Sequence, residues 1–173
     1  DAGYTIPAVP ISQIDKRYHR QIVNYRTAEK PGTIIVDTPK RFLYYVLPGG
    51  KAVRYGIGVG REGFAWEGDA YIAWKQPGPK WTPPKEMVER QPKLKKYAED
   101  GQPGGLNNPL GARAPYLFNE DGQDTLFRLH GTPEWKSIGT AASSGCIRLM
   151  NQDIIDLYER VRPGRSAKVI VKQ

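Results

Sequence analysis

From residue 33 onward, most apolar residues fall into short β-branched and aromatic runs separated by glycine and proline turns. Runs of this length and composition are typical of β-strands. The run at 41–47 is apolar at both alternate sets of positions, which predicts a strand covered on both faces. Residues 119–123 are predicted to turn a hairpin, with Gly122 at a positive φ. In all, the pattern predicts strands at 33–37, 41–47, 51–57, 69–75, 114–118, 124–130 and 166–172.

One helix is predicted, close to the C-terminal end of the chain. Asn151 is placed to cap it, Asp153 falls in its first turn, and Pro163 with Gly164 ends it. An apolar stripe at helical spacing supports the assignment and consists of Ile154, Ile155, Tyr158 and Val161. The predicted elements are therefore mostly β with one prominent helix.

Two segments show no sustained period. Residues 1–32 are predicted to form an extended N-terminal arm, with one short helical turn at 18–25, leading to a single domain at 33–173. Residues 76–115 hold eight of the fifteen prolines, so they cannot form ladder strands throughout. We interpret about 76–113 as a long Pro/Gly-rich lid loop with a brief helix at 85–90.

Composition bounds the class of protein. A chain of 173 residues with 39% hydrophobic residues is long enough to bury one core. The net charge of +8 suits an anionic partner such as nucleic acid, a membrane or an acidic polymer, yet no run of five like charges exists and a solvated surface explains it equally well. No stretch is long and apolar enough to span a membrane. Because the chain starts at Asp1 without a leader pattern, we expect a processed or trimmed product.

A glycine motif at 58–63 matches G-x-G-x-x-G and follows a predicted strand. A dinucleotide site needs a helix directly after these glycines, because the helix N-terminus receives the pyrophosphate. The residues that follow continue toward another β run. We therefore interpret the glycines as a bend or bulge between strands.

Imidazole and thiol chemistry rests on three side chains, because the chain has one cysteine and two histidines. A single thiol excludes an internal disulfide and any multi-cysteine metal site. His130 ends a predicted strand, and Cys146 lies sixteen residues later, which lets the loop fold back and bring imidazole against sulfur. A neighbouring imidazole shifts a thiol toward thiolate and then carries the proton.

The residues around this pair suit acyl chemistry. The small Gly145 allows the backbone N–H groups of Ser144, Gly145 and Cys146 to converge on an oxyanion. The carbonyl of Gly131 is placed to hold the far ring nitrogen of His130 and fix its tautomer. The alternative is that Cys146 is a buried hydrophobe and His130 a structural residue, as lone residues of these types usually are.

Four separated blocks of the chain closely resemble the signature of the YkuD-type L,D-transpeptidases, bacterial enzymes of peptidoglycan. The resemblance covers roughly residues 31–171. The blocks are HGT at 130–132, SSGCIRL at 143–149, NPLGARA at 108–114 and WTPP at 81–84.

The resemblance implies a β-sandwich-like catalytic domain in which Cys146 is the nucleophile and His130 the general acid/base. In this family the thiolate attacks a tetrapeptide stem after the L-centre of its third residue, releases D-Ala and forms an acyl-enzyme. An amine then resolves it, either from another stem to give a 3→3 crosslink or from an outer-membrane or envelope protein. The resemblance further implies an exported protein with a periplasmic or envelope location, and acylation by carbapenem β-lactams. It implies no metal or organic cofactor and no nucleic-acid partner.

One departure is that many members carry histidine where this chain has Ser144. His130 is then the base, because His19 lies in the arm outside the resemblance. Arg148 is expected to recognise a substrate carboxylate or to hold local structure. Arg113, Tyr116 and Ser143 are further candidates for lining the donor pocket. Two alternatives stay open: an L,D-carboxypeptidase that uses the same acyl-enzyme, and a noncatalytic peptidoglycan-binding module.

Overall fold

The computed structural model describes residues 10–60, 68–77, 113–118, 121–122, 124–132, 135–140 and 147–172. As predicted, these residues are mainly β with a helix near the C-terminal end. The strands of the described part are β1 Gln21–Asn24, β2 Ile34–Asp37, β3 Phe42–Leu47, β4 Lys51–Gly56, β5 Gly58–Val59, β6 Gly68–Pro77, β7 Arg113–Phe118, β8 Asp124–Thr132, β9 Ile147–Met150 and β10 Lys168–Lys172. The α-helix α1 spans Asn151–Arg160, and short 3-10 helices occupy Ile11–Gln13, Lys16–Tyr18 and Trp135–Ser137.

These ten strands pair in the order β1-β4-β3-β2-β10-β6-β7-β8-β9-β5. The pairs β2–β10 and β8–β9 are parallel, and the other pairs are antiparallel. β4 and β5 stand near opposite ends of this order, yet Ile57 alone separates them in sequence. The sheet must therefore curl until its two ends meet, which gives the sandwich-like architecture that the family resemblance implies.

The core fills the inside of this curled sheet. β2 and β10 are rich in β-branched residues, which pack well on a pleated surface. α1 closes the core with Ile154 and Leu157, both fully buried. The main buried cluster includes Ile34, Val36, Leu43, Val53, Tyr55, Ile57, Val59, Leu129, Leu149, Ile154, Leu157 and Val169.

Most predicted strands agree with the structure to within two residues. Gly122 has φ +81°, as the hairpin prediction requires. The helix cap was wrong by one residue: Met150 is the N-cap without a side-chain hydrogen bond, and Asn151 is the first helical residue. Strands β1, β5 and β9 were not predicted, because their sequences, QIVN, GV and IRLM, show no sustained alternation or apolar run.

The N-terminal arm joins the sheet instead of forming a helical turn at 18–25. A 3-10 helix ends at Tyr18, and β1 then pairs antiparallel with β4. The ring of Tyr25 stacks on Tyr44 at a centroid distance of 4.3 Å. The arm thus covers the outer face of β3, which explains why that strand is apolar on both faces. The domain boundary at residue 33 stays a prediction.

The lid predicted at about 76–113, with its helix at 85–90, falls at 78–112 outside the described residues. The edges of that interval are described: β6 runs through Pro77, and β7 begins at Arg113. Within the described ranges, no helix is both long and apolar enough to cross a membrane.

Candidate active site

His130 lies near the end of β8, deep in the sheet. Its Cα is paired with that of Arg148 in the parallel neighbour β9, and Leu129 is paired with Ile147. Both strands are buried here, because α1 follows β9 directly and packs against β8. The side chain of His130 is only 1% exposed.

One nitrogen of His130 is held by the chain itself. Nδ1 lies 2.7 Å from the carbonyl oxygen of Gly131. A carbonyl oxygen only accepts hydrogen bonds, so Nδ1 carries the proton and donates it. In the neutral ring Nε2 then holds a lone pair, and within the described part of the chain this buried atom has no hydrogen-bond partner.

The environment of His130 also keeps the ring neutral. Burial is the largest influence and lowers the pKa of His130 to about 4, because a charged ring would be poorly solvated. The hydrogen bond to Gly131 acts in the opposite direction, and the positive charge of Arg148 lowers the pKa further. At neutral pH the residue is therefore an uncharged proton acceptor.

The other predicted site residues are only partly placed. Ser143, Ser144, Gly145 and Cys146 lie outside the described residues, so their roles stay predictions. Arg113 and Tyr116 lie on β7, next to β8 in the sheet, and Tyr116 is paired with Arg128. Arg148 is 2% exposed and lies directly across from His130 in the β8–β9 pair. Its part in substrate recognition also stays a prediction.

Gly58 serves the sheet in a way that the sequence motif did not reveal. Gly58 and Val59 form β5 and pair with Arg148 and Ile147 of β9. A Cβ added at Gly58 would lie 2.7 Å from the carbonyl oxygen of Ser137 and 3.3 Å from Arg148 Nη2. Glycine is needed at position 58 because another backbone approaches there.

Gly58→Ala should therefore destabilise the protein by about 2 kcal/mol, since the added methyl group meets backbone that cannot rotate away. Urea unfolding measures this. Gly50→Ala is the control, because its methyl group enters open space. It should lower the free energy of unfolding by about 1 kcal/mol, and only because of the φ of +73° at this position. Equal stability of Gly58→Ala and the unsubstituted protein would contradict the close approach.

Asp153 is a further buried polar residue and lies on α1. The sequence identified it only as a charge in the first turn of the helix. Burial raises the pKa of Asp153 to about 6, although Arg20, 3.6 Å away, lowers it. Asp156, one turn further on, accepts hydrogen bonds from Tyr55 at 2.6 Å and Arg160 at 3.0 Å. Arg20 in the arm lies 3.8 Å from Asp156 as well. Ion pairs of Arg20 thus link the N-terminal arm to α1.

Comparison with known proteins places this chain in a family. The family model YkuD, the L,D-transpeptidase catalytic domain, matches residues 31–171. The chain is 34% identical over 145 residues to "Probable L,D-transpeptidase YcfS" of Escherichia coli strain K12, covering 79% of this chain and 43% of that protein. It is 38% identical over 71 residues to "Putative L,D-transpeptidase YqjB" of Bacillus subtilis strain 168, covering 40% of this chain and 38% of that protein.

Two solved structures share the fold. A Brucella melitensis protein described as a probable carnitine operon oxidoreductase is 46% identical, with a TM-score of 0.62 over 90% of this chain and 95% of that one. L,D-transpeptidase 3 from Mycobacterium tuberculosis, in complex with a faropenem-derived adduct, is 15% identical, with a TM-score of 0.54 over 82% of this chain and 60% of that one.

This chain belongs to the YkuD family of L,D-transpeptidase catalytic domains. It spans less than half the length of the Escherichia coli relatives that it matches.

Proposed function

We propose that this protein is a cysteine-dependent L,D-transpeptidase that acts on the stem peptides of bacterial peptidoglycan. The observation that carries the proposal is the state of His130: a buried neutral ring with Nδ1 held by Gly131 and a lone pair on Nε2. A general base for a thiol needs such a lone pair in a fixed direction. Membership of the family supports the reaction class.

Chain connectivity supports Cys146 as the partner of this base. Cys146 is bonded to Ile147, which is paired with Leu129, the neighbour of His130. Consecutive Cα atoms are about 3.8 Å apart, and neighbouring strands are about 4.8 Å apart. The thiol-bearing residue is therefore tethered close to β8.

In the proposed acylation step, Sγ of Cys146 bonds to the carbonyl carbon of the third stem residue, and the thiol proton passes to Nε2 of His130. Backbone N–H groups of Ser144, Gly145 and Cys146 donate hydrogen bonds to the resulting oxyanion. Collapse of this intermediate breaks the C–N bond to the terminal D-Ala. The D-Ala amine takes the proton from Nε2 as it leaves, and a thioester remains.

An acceptor amine then attacks the thioester, His130 takes a proton from that amine, and the proton returns to Sγ. An amine of another stem gives a 3→3 crosslink, and an amine of an envelope protein gives protein attachment. Water in place of the amine gives L,D-carboxypeptidase activity. The substrate implies a periplasmic or envelope location, and the net charge of +8 suits stems that carry carboxylates.

Substrate recognition is assigned within the same proposal. Arg148 recognises a carboxylate of the stem or holds the strand pair beside His130, and Arg113, Tyr116 and Ser143 line the donor side. Arginine suits the first role, because its guanidinium pairs with a carboxylate through two parallel hydrogen bonds.

The description of the Brucella melitensis protein names an oxidoreductase, and a dinucleotide-dependent oxidoreductase is less well supported for this chain. Its phosphate-binding glycines would be those at 58–63. The first of these belongs to β5, which is paired with β9, so its backbone is already engaged in the sheet. A noncatalytic peptidoglycan-binding module needs neither a proton acceptor at His130 nor a thiol at Cys146, and it would form no adduct with a carbapenem.

A carbapenem adduct tests the nucleophile. Intact-protein mass spectrometry should show the mass of the drug on the unsubstituted protein and no gain on Cys146→Ala, because the chain has no second thiol. Equal labelling of both proteins, or labelling of neither, would contradict the proposal. Incubation with tetrapeptide-bearing muropeptides then separates transfer from hydrolysis: crosslinked dimers support a transpeptidase, and tripeptide alone supports the carboxypeptidase.

A further inference from the structure

Residues 11–20, which we name the N-terminal clasp, lie outside the segment that matches the family and nevertheless pack beside the candidate site. The clasp contains the 3-10 helices Ile11–Gln13 and Lys16–Tyr18. His19 braces it internally: Nε2 lies 2.9 Å from the carbonyl oxygen of Ile11 and 2.8 Å from that of Ile14. The clasp is thus a folded unit rather than an extended arm.

The clasp contacts the chain upstream of Cys146. Ile14 forms a buried cluster with Ile138 and Met150, and Tyr18 packs against it. The ring of Tyr18 lies directly over Gly139, because a Cβ added to Gly139 would be 2.8 Å from Tyr18 Cε2. Cys146 is the seventh residue after Gly139.

Backbone hydrogen bonds hold the same segment as well. The N–H of Gly139 donates to the carbonyl oxygen of Ile57 at 2.8 Å, and the N–H of Val59 donates to that of Thr140 at 3.0 Å. The segment at 135–140 is therefore held both by hydrogen bonds to residues 57–59 and by contact with the ring of Tyr18. Removal of the ring takes away the second of these.

The clasp also contacts the chain downstream of Cys146. Met150, the last residue of β9, belongs to the cluster around Ile14. Arg20 lies 3.6 Å from Asp153, in the first turn of α1. Both flanks of the segment that carries the thiol are therefore packed against one short stretch of chain.

We infer that Tyr18 is a positioning residue for the reaction: through Gly139 and the cluster of Ile14, Ile138 and Met150, it fixes the two stretches, 135–140 and 147–150, that precede and follow Cys146 in the chain. The inference rests on the proposed function, in which the thiol of Cys146 is the nucleophile. Displacement of a reacting group by about 1 Å can cost up to about 100-fold in rate.

The single cysteine makes the test specific, because every thiol signal belongs to Cys146. Two rates are measured well below each variant's melting temperature: alkylation by iodoacetamide across pH 5–10, and acylation by a carbapenem. Tyr18→Ala should lower the acylation rate at least about tenfold and shift the pH midpoint of alkylation upward. Tyr18→Phe should restore both rates, since the ring makes the contacts.

Tyr25→Ala is the matched control. It also removes a tyrosine ring from the N-terminal arm, but this ring stacks on Tyr44. It should lower the melting temperature without changing either rate. If Tyr18→Ala loses only melting temperature, as this control does, the inference is overturned. Should Tyr18→Ala not fold, Ile14→Ala opens the same cluster and is judged by the same rates.

Failure of the proposed function gives a different result. The unsubstituted protein would then not be acylated at Cys146 at all, whereas failure of the inference leaves acylation intact and insensitive to Tyr18.

Discussion

His130→Gln should lower the rate at which Cys146 is acylated by a carbapenem about 1000-fold, while the protein stays folded. Glutamine is similar in length and fills part of the same buried space, but its amide does not take up a proton near neutral pH. The thiol then reacts only through the small fraction that ionises without help. Stopped-flow or mass-spectrometric acylation rates at pH 7 measure the loss.

Alkylation by iodoacetamide provides the internal control for this prediction. Alkylation needs a thiolate but no proton donor for a leaving group, so the variant should approach the unsubstituted rate once the pH exceeds the ordinary thiol pKa of about 8.5. A variant that stays slow at high pH would indicate misfolding of the site. Acylation of His130→Gln at an undiminished rate at pH 7 would rule out His130 as the base.

Stability between pH 6.5 and 4 should depend on two buried groups with opposite signs. The pKa of His130 is lowered to about 4 in the folded protein, so between pH 6.5 and 4 the unfolded chain binds the extra proton. Acidification through this window therefore removes about 3 kcal/mol of stability. The pKa of Asp153 is raised to about 6, so between pH 6 and 4 the folded protein binds the extra proton, and acidification adds about 3 kcal/mol.

The two effects nearly cancel, and single variants should separate them. Relative to the unsubstituted protein, His130→Gln should gain stability as the pH falls from 6.5 to 4, and Asp153→Asn should lose it over the same range. Urea unfolding at half-unit pH steps measures both curves. Parallel curves for all three proteins would show that neither group has a shifted pKa.

Elements with a strong local pattern were predicted well from the sequence. β3 is an apolar run and β4 mixes apolar with basic residues, two glycines at positive φ lie in the turn between them, and both lie within one residue of the predicted ends. α1 carries a stripe at helical spacing. Its cap was misplaced by one residue, because an asparagine just before an apolar stripe predicts a cap, whereas the end of β9 fixes where this helix begins.

Elements fixed by distant contacts could not be predicted. β1 is four residues long, and its Ile22 is 63% exposed, so only its pairing with β4 makes it a strand. The need for glycine at position 58 comes from the Ser137 carbonyl, which sequence spacing does not reveal. At the site, the Gly131 contact was expected because the two residues are adjacent. The burial that sets the pKa of His130 depends instead on the packing of β8, β9 and α1.

The position of β10 constrains how the chain can fold. This strand, which ends at Lys172, lies in the middle of the sheet between β2 and β6, and Val169 pairs with Ile34. A nascent chain without residues 168–172 has the strands on either side but nothing to join them. A fold with such a high contact order forms slowly and only once residue 172 is available. Residues 34–77, which hold both neighbours of β10, are therefore synthesised well before the core that they share with it can close.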